Sequence, residues 1–598
     1  MQQYDKNSLI GFILMGIILI VFNTFFFSTN SNENDIPEPI NSEEIIKKEL
    51  SENQLDTISR KKDNSLNILQ KETSIEEKHY TLENEKLKLV FSNKGGRIIS
   101  AILKDYTTYD GDELELFDAD SSIFNLRFTT GQTINTKELI FEMYNQTKDE
   151  INMRLYIQTQ EQYVEFSYKL NNEYLIDLDI NLVKLNNIIP SAINYMNLNW
   201  GMKTPQTEKS KSNQDMYTGI YYQYQTDKEV DYLSLTKSDN ETINSRLNWV
   251  AFKQQFFSSI LISKNGFQKP TELTSKINEN SRYIKDLNAK FDIPFLHKNN
   301  EQLNFQFYFG PNHYKTLKLY NAGYEEIIPL GWTLFRWVNK YIIINIFDFL
   351  SKYFTNYGVI ILLLTLIIKL GLSPFTYKAY LSQAKMKVLK PEIEKITNKE
   401  KDKDPLKTQQ ATMNLYRKAG VNPMGGCLPM LLQFPILIAM FRFFPASIEL
   451  RQKSFLWAED LSSYDSILEL GFEIPFYGDH VSLFTLLMTI STILYTKMNS
   501  QQMATGQMAA QMKWMMYLMP IMFLGFFNNY AAGLSYYYFL ANMITFGQQI
   551  IMKRFFINED AIFAELEANK KKPKKKSRFQ KKLEELQRQQ ERKMKNRR

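Results

Sequence analysis

At 598 residues the chain is too long for one ordinary core, and at least two folded regions are expected. A composition 44% hydrophobic with a formal charge of +7 looks soluble on average, but residues 30–325 are polar and 330–555 hold most of the long apolar runs. The single cysteine, Cys427, excludes an intrachain disulfide; His79, His297, His313 and His480 lack metal-ligand spacing, and HExxH, P-loop, dinucleotide and GxSxG motifs are missing. No catalytic seat and no cofactor are expected, so the chain is not read as an enzyme.

The run Leu9–Phe27 is long enough to cross a bilayer, exceeds a signal-peptide core and is followed by no A-x-A-like site, which predicts an uncleaved anchor. Residues 28–75 are rich in Asn, Ser, Glu and Lys and too poor in apolar surface to offset ordering entropy, as in a tether. From 76 to 325 period-two alternation recurs, as in Leu87/Leu89/Phe91, Phe124/Leu126/Phe128 and Ile151/Met153/Leu155/Ile157. It continues in Val164/Phe166/Tyr168/Leu170, Ile176/Leu178/Ile180/Leu182 and Leu303/Phe305/Phe307/Phe309. Each run puts one apolar face inward, which predicts antiparallel strands and a large β-sandwich, with Asn93–Gly96 as a turn. No carboxylate pair stands out there, so a scaffold is expected rather than a carbohydrate site.

Residues 329–353 are apolar but interrupted by Arg336, Lys340, Asn345, Asp348 and Lys352, which predicts a helix lying in the membrane surface. Next comes GVIILLLTLIIKLGLSP, residues 358–374, with Lys369 inside it. A lysine at the centre of a spanning helix costs roughly 2.5–3.5 kcal/mol, and Val, Ile and Leu return roughly 0.3–0.6 kcal/mol each. The segment can insert, but the charge is an avoidable cost and therefore a candidate site. Snorkelling past an expected helix break at Ser373-Pro374 is the alternative use of the same side chain.

Residues 376–424 predict a basic helical hairpin, with Asp404-Pro405 opening its second helix and Gly420 and Pro423 closing it. A third span, 427–445, is expected to be broken by Pro429 and Pro435 and carries Gln433 at membrane depth. An acidic loop, 446–480, precedes a fourth span at 481–496. A methionine-rich loop at 497–513 and spans at 514–528 and 533–552 complete the run. From Lys570 to Arg598 fifteen basic residues face three acidic ones, a tail suited to a polyanion, either RNA or anionic lipid. The positive-inside rule puts hairpin, methionine-rich loop and tail together in the cytoplasm. With six spans both termini are then cytoplasmic, and the β-sandwich and acidic loop lie outside.

NYGVIILLLTLIIKLGLSPFTYKAYLSQAKMKVLKPEI, LYRKAGVNPMGGCLPMLLQFPI, IELRQKSFLWAEDLS and GLSYYYFLANMITFGQQ, in that order, resemble the YidC/Oxa/Alb family of membrane-protein insertases, in its Gram-negative YidC form. NWVAFKQQFFSS and FYFGPNHYKTL resemble that form's periplasmic domain. The resemblance implies a mixed membrane protein with six transmembrane helices, five of them a conserved core, plus a periplasmic β-sandwich in the bacterial inner membrane. It further implies a hydrophilic groove open to cytoplasm and lipid, with Lys369 where the family often has arginine. Gln433, Tyr537 and Tyr538 match groove or substrate-contact positions, and Thr365 lies one helical turn from Lys369. Nascent membrane proteins, the ribosome, the Sec translocon with its accessory subunits and anionic lipid are the expected partners of a working monomer. Lys385, Lys387, Met503, Met508, Lys574, Lys575 and Arg578 are the expected client or ribosome contacts. A solute transporter or channel using Lys369 is the competing class, and the lack of a matching second half argues against it.

Overall fold

The structure, a computed structural model, describes residues 76–171, 173–278, 282–399, 405–422, 428–500 and 507–571. The expected first anchor and tether lie outside these residues, as does the tail beyond Lys571.

The alternating runs are strands. Ile176, Leu178, Ile180 and Leu182 are buried while their neighbours are not, and Leu178 pairs with Phe305 on one side and Tyr168 on the other. A nine-stranded antiparallel sheet faces a six-stranded one, and a four-stranded sheet packs against strands of both. Aromatic side chains fill the space between layers. Trp200 of the smaller sheet stacks on Phe252 of the larger at 3.8 Å, and Phe291 on Phe267 at 4.0 Å. Stacked and edge-on aromatic pairs add to simple area burial, which suits a domain without disulfides.

After the sandwich the chain runs through three consecutive helical pieces, Thr333–Val338, a π-helical turn at Asn339–Ile343, and Ile344–Ser351. Trp337, Tyr341 and Phe349 are exposed along them and Tyr353 just past them, while buried Asn339 donates to the carbonyls of Leu330 (2.8 Å) and Ala439 (2.9 Å).

Seven helices follow, labelled here α1 (Tyr357–Lys399), α2 (Pro405–Ala419), α3 (Leu428–Phe443), α4 (Leu483–Ser500), α5 (Gln507–Asn528), α6 (Ala532–Ile551) and α7 (Glu559–Lys571). α1, α3, α4, α5 and α6 pack as a bundle, and α2 and α7 pack on the far half of α1. Among the described residues, one helix, α1, is long and apolar enough to cross a membrane; the apolar stretches of α3, α4 and α5 are shorter.

Three boundaries differ from expectation. The break at Ser373-Pro374 does not occur, and α1 runs on for 43 residues, roughly 65 Å. Pro374 removes the N–H that would reach Leu370, but the Ser373 hydroxyl donates to that carbonyl at 2.7 Å and keeps it satisfied. Pro435 likewise sits inside a continuous α3 rather than breaking it. The 497–513 loop is shorter than expected, because α4 continues to Ser500 and α5 begins at Gln507. Its Ala, Gln and Met residues are good helix formers, so the helices extend past their apolar stretches.

Candidate functional site

Lys369 lies on α1 and is 5% exposed. A buried ammonium needs compensation, and it finds two neutral oxygens. Nζ donates to Thr545 Oγ1 on α6 at 2.9 Å and to Gln433 Oε1 on α3 at 3.2 Å. The Thr545 hydroxyl donates to its own helix at Ala541 O (2.6 Å), which leaves a lone pair for the lysine. One turn on, Gln548 Nε2 donates to the Lys369 carbonyl at 3.1 Å. Three helices therefore converge on one cation. Among the described residues no carboxylate pairs with it, and an ammonium has three donor hydrogens, of which these contacts engage two.

The structure separates the other expected site residues. Gln433 meets Lys369 directly. Thr365 is fully buried, but its hydroxyl turns back to the Ile361 carbonyl at 2.6 Å. Tyr537 and Tyr538 lie seven or eight residues before Thr545 on α6, roughly 11 Å away along the axis. There Tyr537 packs against Phe444 and Tyr538 against Phe527. Thr545 and Gln548 were missed by sequence reasoning. Their signal was the polar spacing Asn542, Thr545, Gln548, one every third residue, in the second half of a largely apolar helix.

The bundle end nearest the sandwich is tied by polar contacts. Asp465 Oδ2 accepts from Trp457 Nε1 at 2.9 Å and from the Phe484 N–H at 3.0 Å, and Asp465 Oδ1 accepts from Ser482 at 2.5 Å. Thr485 on α4 meets Ser535 on α6 at 3.0 Å. Gly533 lets α6 approach the loop closely, since a Cβ there would stand 3.0 Å from the Leu461 carbonyl.

The sandwich is docked on this same end through a buried ion pair. Arg451 Nε lies 2.9 Å from both Glu208 carboxylate oxygens, and Nη2 donates to Thr107 O at 2.6 Å. Burial pushes the Glu208 carboxyl up to about 7, against the opposing pull of Arg451. Gln255, within NWVAFKQQFFSS, donates to Pro445 O at 3.0 Å, and Asn213 donates to Asn529 O at 2.8 Å.

At the other end α7 is clamped to the basic hairpin. Ile562 and Leu566 pack with Leu389, Ile393, Ala419 and Val421. Lys385 pairs with Glu565 at 2.8 Å, Lys387 with Glu559 at 2.7 Å, and Lys570 with Glu392 at 2.5 Å. An anionic partner of Lys385 or Lys387 must exchange with these carboxylates. Met503, Lys574, Lys575 and Arg578 lie outside the described residues, and Met508 falls in the first turn of α5.

An apolar helix bundle enclosing a cation, with a β-sandwich at one end and a basic helical hairpin at the other, is an architecture suited to a membrane protein. Sequence comparison makes this specific. The 60Kd inner membrane protein family matches residues 349–559, and the YidC periplasmic domain matches residues 79–344. The membrane protein insertase YidC of Parabacteroides distasonis is 42% identical over 625 residues, covering 98% of each chain. That of Bacteroides fragilis is 41% identical over 610 residues, again covering 98% of each. The crystal structure of YidC from Thermotoga maritima is 16% identical, covers 78% of this chain and 98% of its own, and aligns with a TM-score of 0.25. The chain belongs to the YidC family of membrane protein insertases.

Proposed function

We propose that the protein inserts integral membrane proteins into the inner membrane and assists their folding, using the polar cluster around Lys369 as the receiving site. The observation that carries this reading is a bundle cation held by Gln433 and Thr545 alone among the described residues, in a chain of the insertase family. A nascent apolar segment gains free energy on entering lipid, and its polar flanks create the barrier. Polar groups partway through the membrane shorten the dry distance those flanks must cross. Lys369 attracts acidic residues of an arriving client, and α3 and α5 guide the apolar part into lipid.

The charge distribution supports six spans with both termini, the hairpin and the tail in the cytoplasm, and the β-sandwich in the periplasm. The tail and hairpin suit ribosomal RNA, with anionic lipid as competitor, and the Sec translocon with its accessory subunits is a further partner.

Reconstitution of the full chain alone in liposomes tests the central claim. A small client becomes protease-protected on mixing. Solute flux without protection would favour a transporter or channel using Lys369. Deleting residues 572–598 leaves the α7 clamp in place, and it is expected to weaken ribosome co-sedimentation by on the order of tenfold at low salt and to flatten its salt dependence. Unchanged binding would reduce the tail to a topology device.

A further inference from the structure

The acidic loop at 446–480 contains a feature that its charge conceals. SILELGFEIPFYGDHV, residues 466–481, interleaves Glu469, Glu473 and Asp479 with Ile, Leu, Phe and Tyr. It folds as an antiparallel hairpin of strands Leu468–Ile474 and Gly478–Val481, with Leu468 opposite Val481 and Glu469 opposite His480. A two-stranded hairpin is marginal in water because it has nothing to bury its apolar side chains against.

Its backbone is fixed to the bundle. Asn528, at the end of α5, donates to the carbonyls of Tyr477 (3.0 Å) and His480 (2.8 Å), and Asn529 donates to Tyr477 at 2.9 Å. A Cβ at Gly525 would stand 2.7 Å from the Phe476 carbonyl, so only glycine admits the turn this close to α5. Gly525 is three residues inside the helix end, roughly 4.5 Å, so the turn folds back along α5 instead of standing away from it.

The side chains, by contrast, are uncovered. Phe476 is 98% exposed and Phe472 64%, and Ile467, Leu468 and Ile474 are exposed with them. Beside them α5 presents Met519, Ile521, Phe526 and Met522, the last 65% exposed. The hairpin thus extends the apolar surface that a bundle helix turns away from its neighbours. A contiguous apolar surface of this kind marks an interaction site.

We propose that the hairpin dips into the outer leaflet and that its ligand is lipid, the acyl chains just below the headgroups. This rests on the periplasmic placement of the 446–480 segment. Continuity with α5 selects lipid over a soluble partner. The exposed carboxylates of Glu469, Glu473 and Asp479 keep the depth interfacial, because they alternate with the apolar residues and stay in headgroup water. No lysine or arginine stands between Lys453 and Lys497, and His480 is buried, so the contact is apolar and not a recognition of anionic headgroups. Seated there, the hairpin holds the outer end of α5 at a fixed depth while a client moves past it.

The test uses the full chain in liposomes, with Cys427→Ser and Phe476→Cys carrying an environment-sensitive fluorophore. Phe476 touches little of the protein through its side chain, so the substitution leaves the fold intact. Expected are a blue-shifted emission, quenching by lipids with a nitroxide high on the acyl chain, and loss of quenching by aqueous iodide. The same fluorophore at Tyr144, exposed on the sandwich, gives the reverse. A water-like, iodide-quenched emission at Phe476 overturns the proposal, as does shielding without nitroxide quenching, which would indicate a second copy of the chain. Labelling of Asp479→Cys in cells by an impermeant maleimide separates the two layers of inference. Protection of that cysteine from the periplasmic side overturns the topology, whereas nitroxide quenching at Phe476 reports lipid contact on either side.

Discussion

Lys369→Ala is expected to reduce insertion of a client with an acidic flank at least tenfold relative to the same client with a neutral flank, and Lys369→Arg to preserve it. The ammonium is held by two neutral oxygens, from Thr545 and Gln433, neither of which cancels its charge. An incoming carboxylate can take the third donor hydrogen or displace one of them. At about 4 Å and an effective dielectric of about 20 the attraction is about 4 kcal/mol. Exchange of the existing contacts and desolvation of the carboxylate return part of it. Even a third, about 1.4 kcal/mol, is tenfold in an equilibrium. Alanine also leaves Thr545 and Gln433 without their donor, so a general loss of stability is the competing outcome. The pair of clients separates them: a folding defect lowers both equally, and an equal loss would sink the electrostatic account. Arginine keeps the charge and has the donors to reach both oxygens, and a client-selective loss in Lys369→Arg would point to shape rather than charge.

The site was half legible in the sequence, and the reason is energetic. A lysine amid Val, Ile and Leu is conspicuous because its cost is large, and Gln433 shows itself for the same reason. Thr545 costs an apolar helix almost nothing, since its hydroxyl bonds its own backbone at Ala541. It became part of the site only when α6 was packed against α1. The strands were readable because alternation is a local signal, and each run named above lies in a strand except for Ile157, one residue past the end of its strand. The continuity of α1 was not, because it turned on which acceptor the Ser373 hydroxyl chose. The hairpin at Leu468–Val481 was hidden by its carboxylates, which made an amphipathic segment look like a solvated loop. The pairing of Glu208 with Arg451 left no trace, the two being 243 residues apart in segments without periodic pattern.

That last pair carries the second large effect. Arg451→Ala is expected to undock the β-sandwich from the bundle, read as new protease cleavage between the two and a lower Tm of the full chain in detergent. Removing one partner of a buried ion pair strands the other and costs about 3–5 kcal/mol, more than exposed pairs such as Lys385–Glu565 provide. The loss has a sign with pH. In the docked state burial already holds the Glu208 carboxyl up at about 7, with Asp460 adding to it and Arg451 opposing. Without Arg451 the carboxyl rises further while the undocked state keeps its ordinary value. A carboxyl raised by folding contributes stability below its ordinary pKa and loses it as pH rises through the raised one. The Arg451→Ala deficit is therefore larger at pH 8 than at pH 6. Glu208→Gln in the same chain removes the stranded charge, recovers part of the Tm and flattens the pH dependence. A deficit that grows toward acid pH, or a double variant no better than Arg451→Ala, would show that Arg451 acts through its bonds to Thr107 and Thr207 and not through the carboxylate. The distinction bears on function, because the pair joins the sandwich to the loop between α3 and α4. Whatever loosens it frees this end of the bundle from the domain docked on it, and leaves the polar contacts of Asp465, Thr485 and Ser535 to tie that end together.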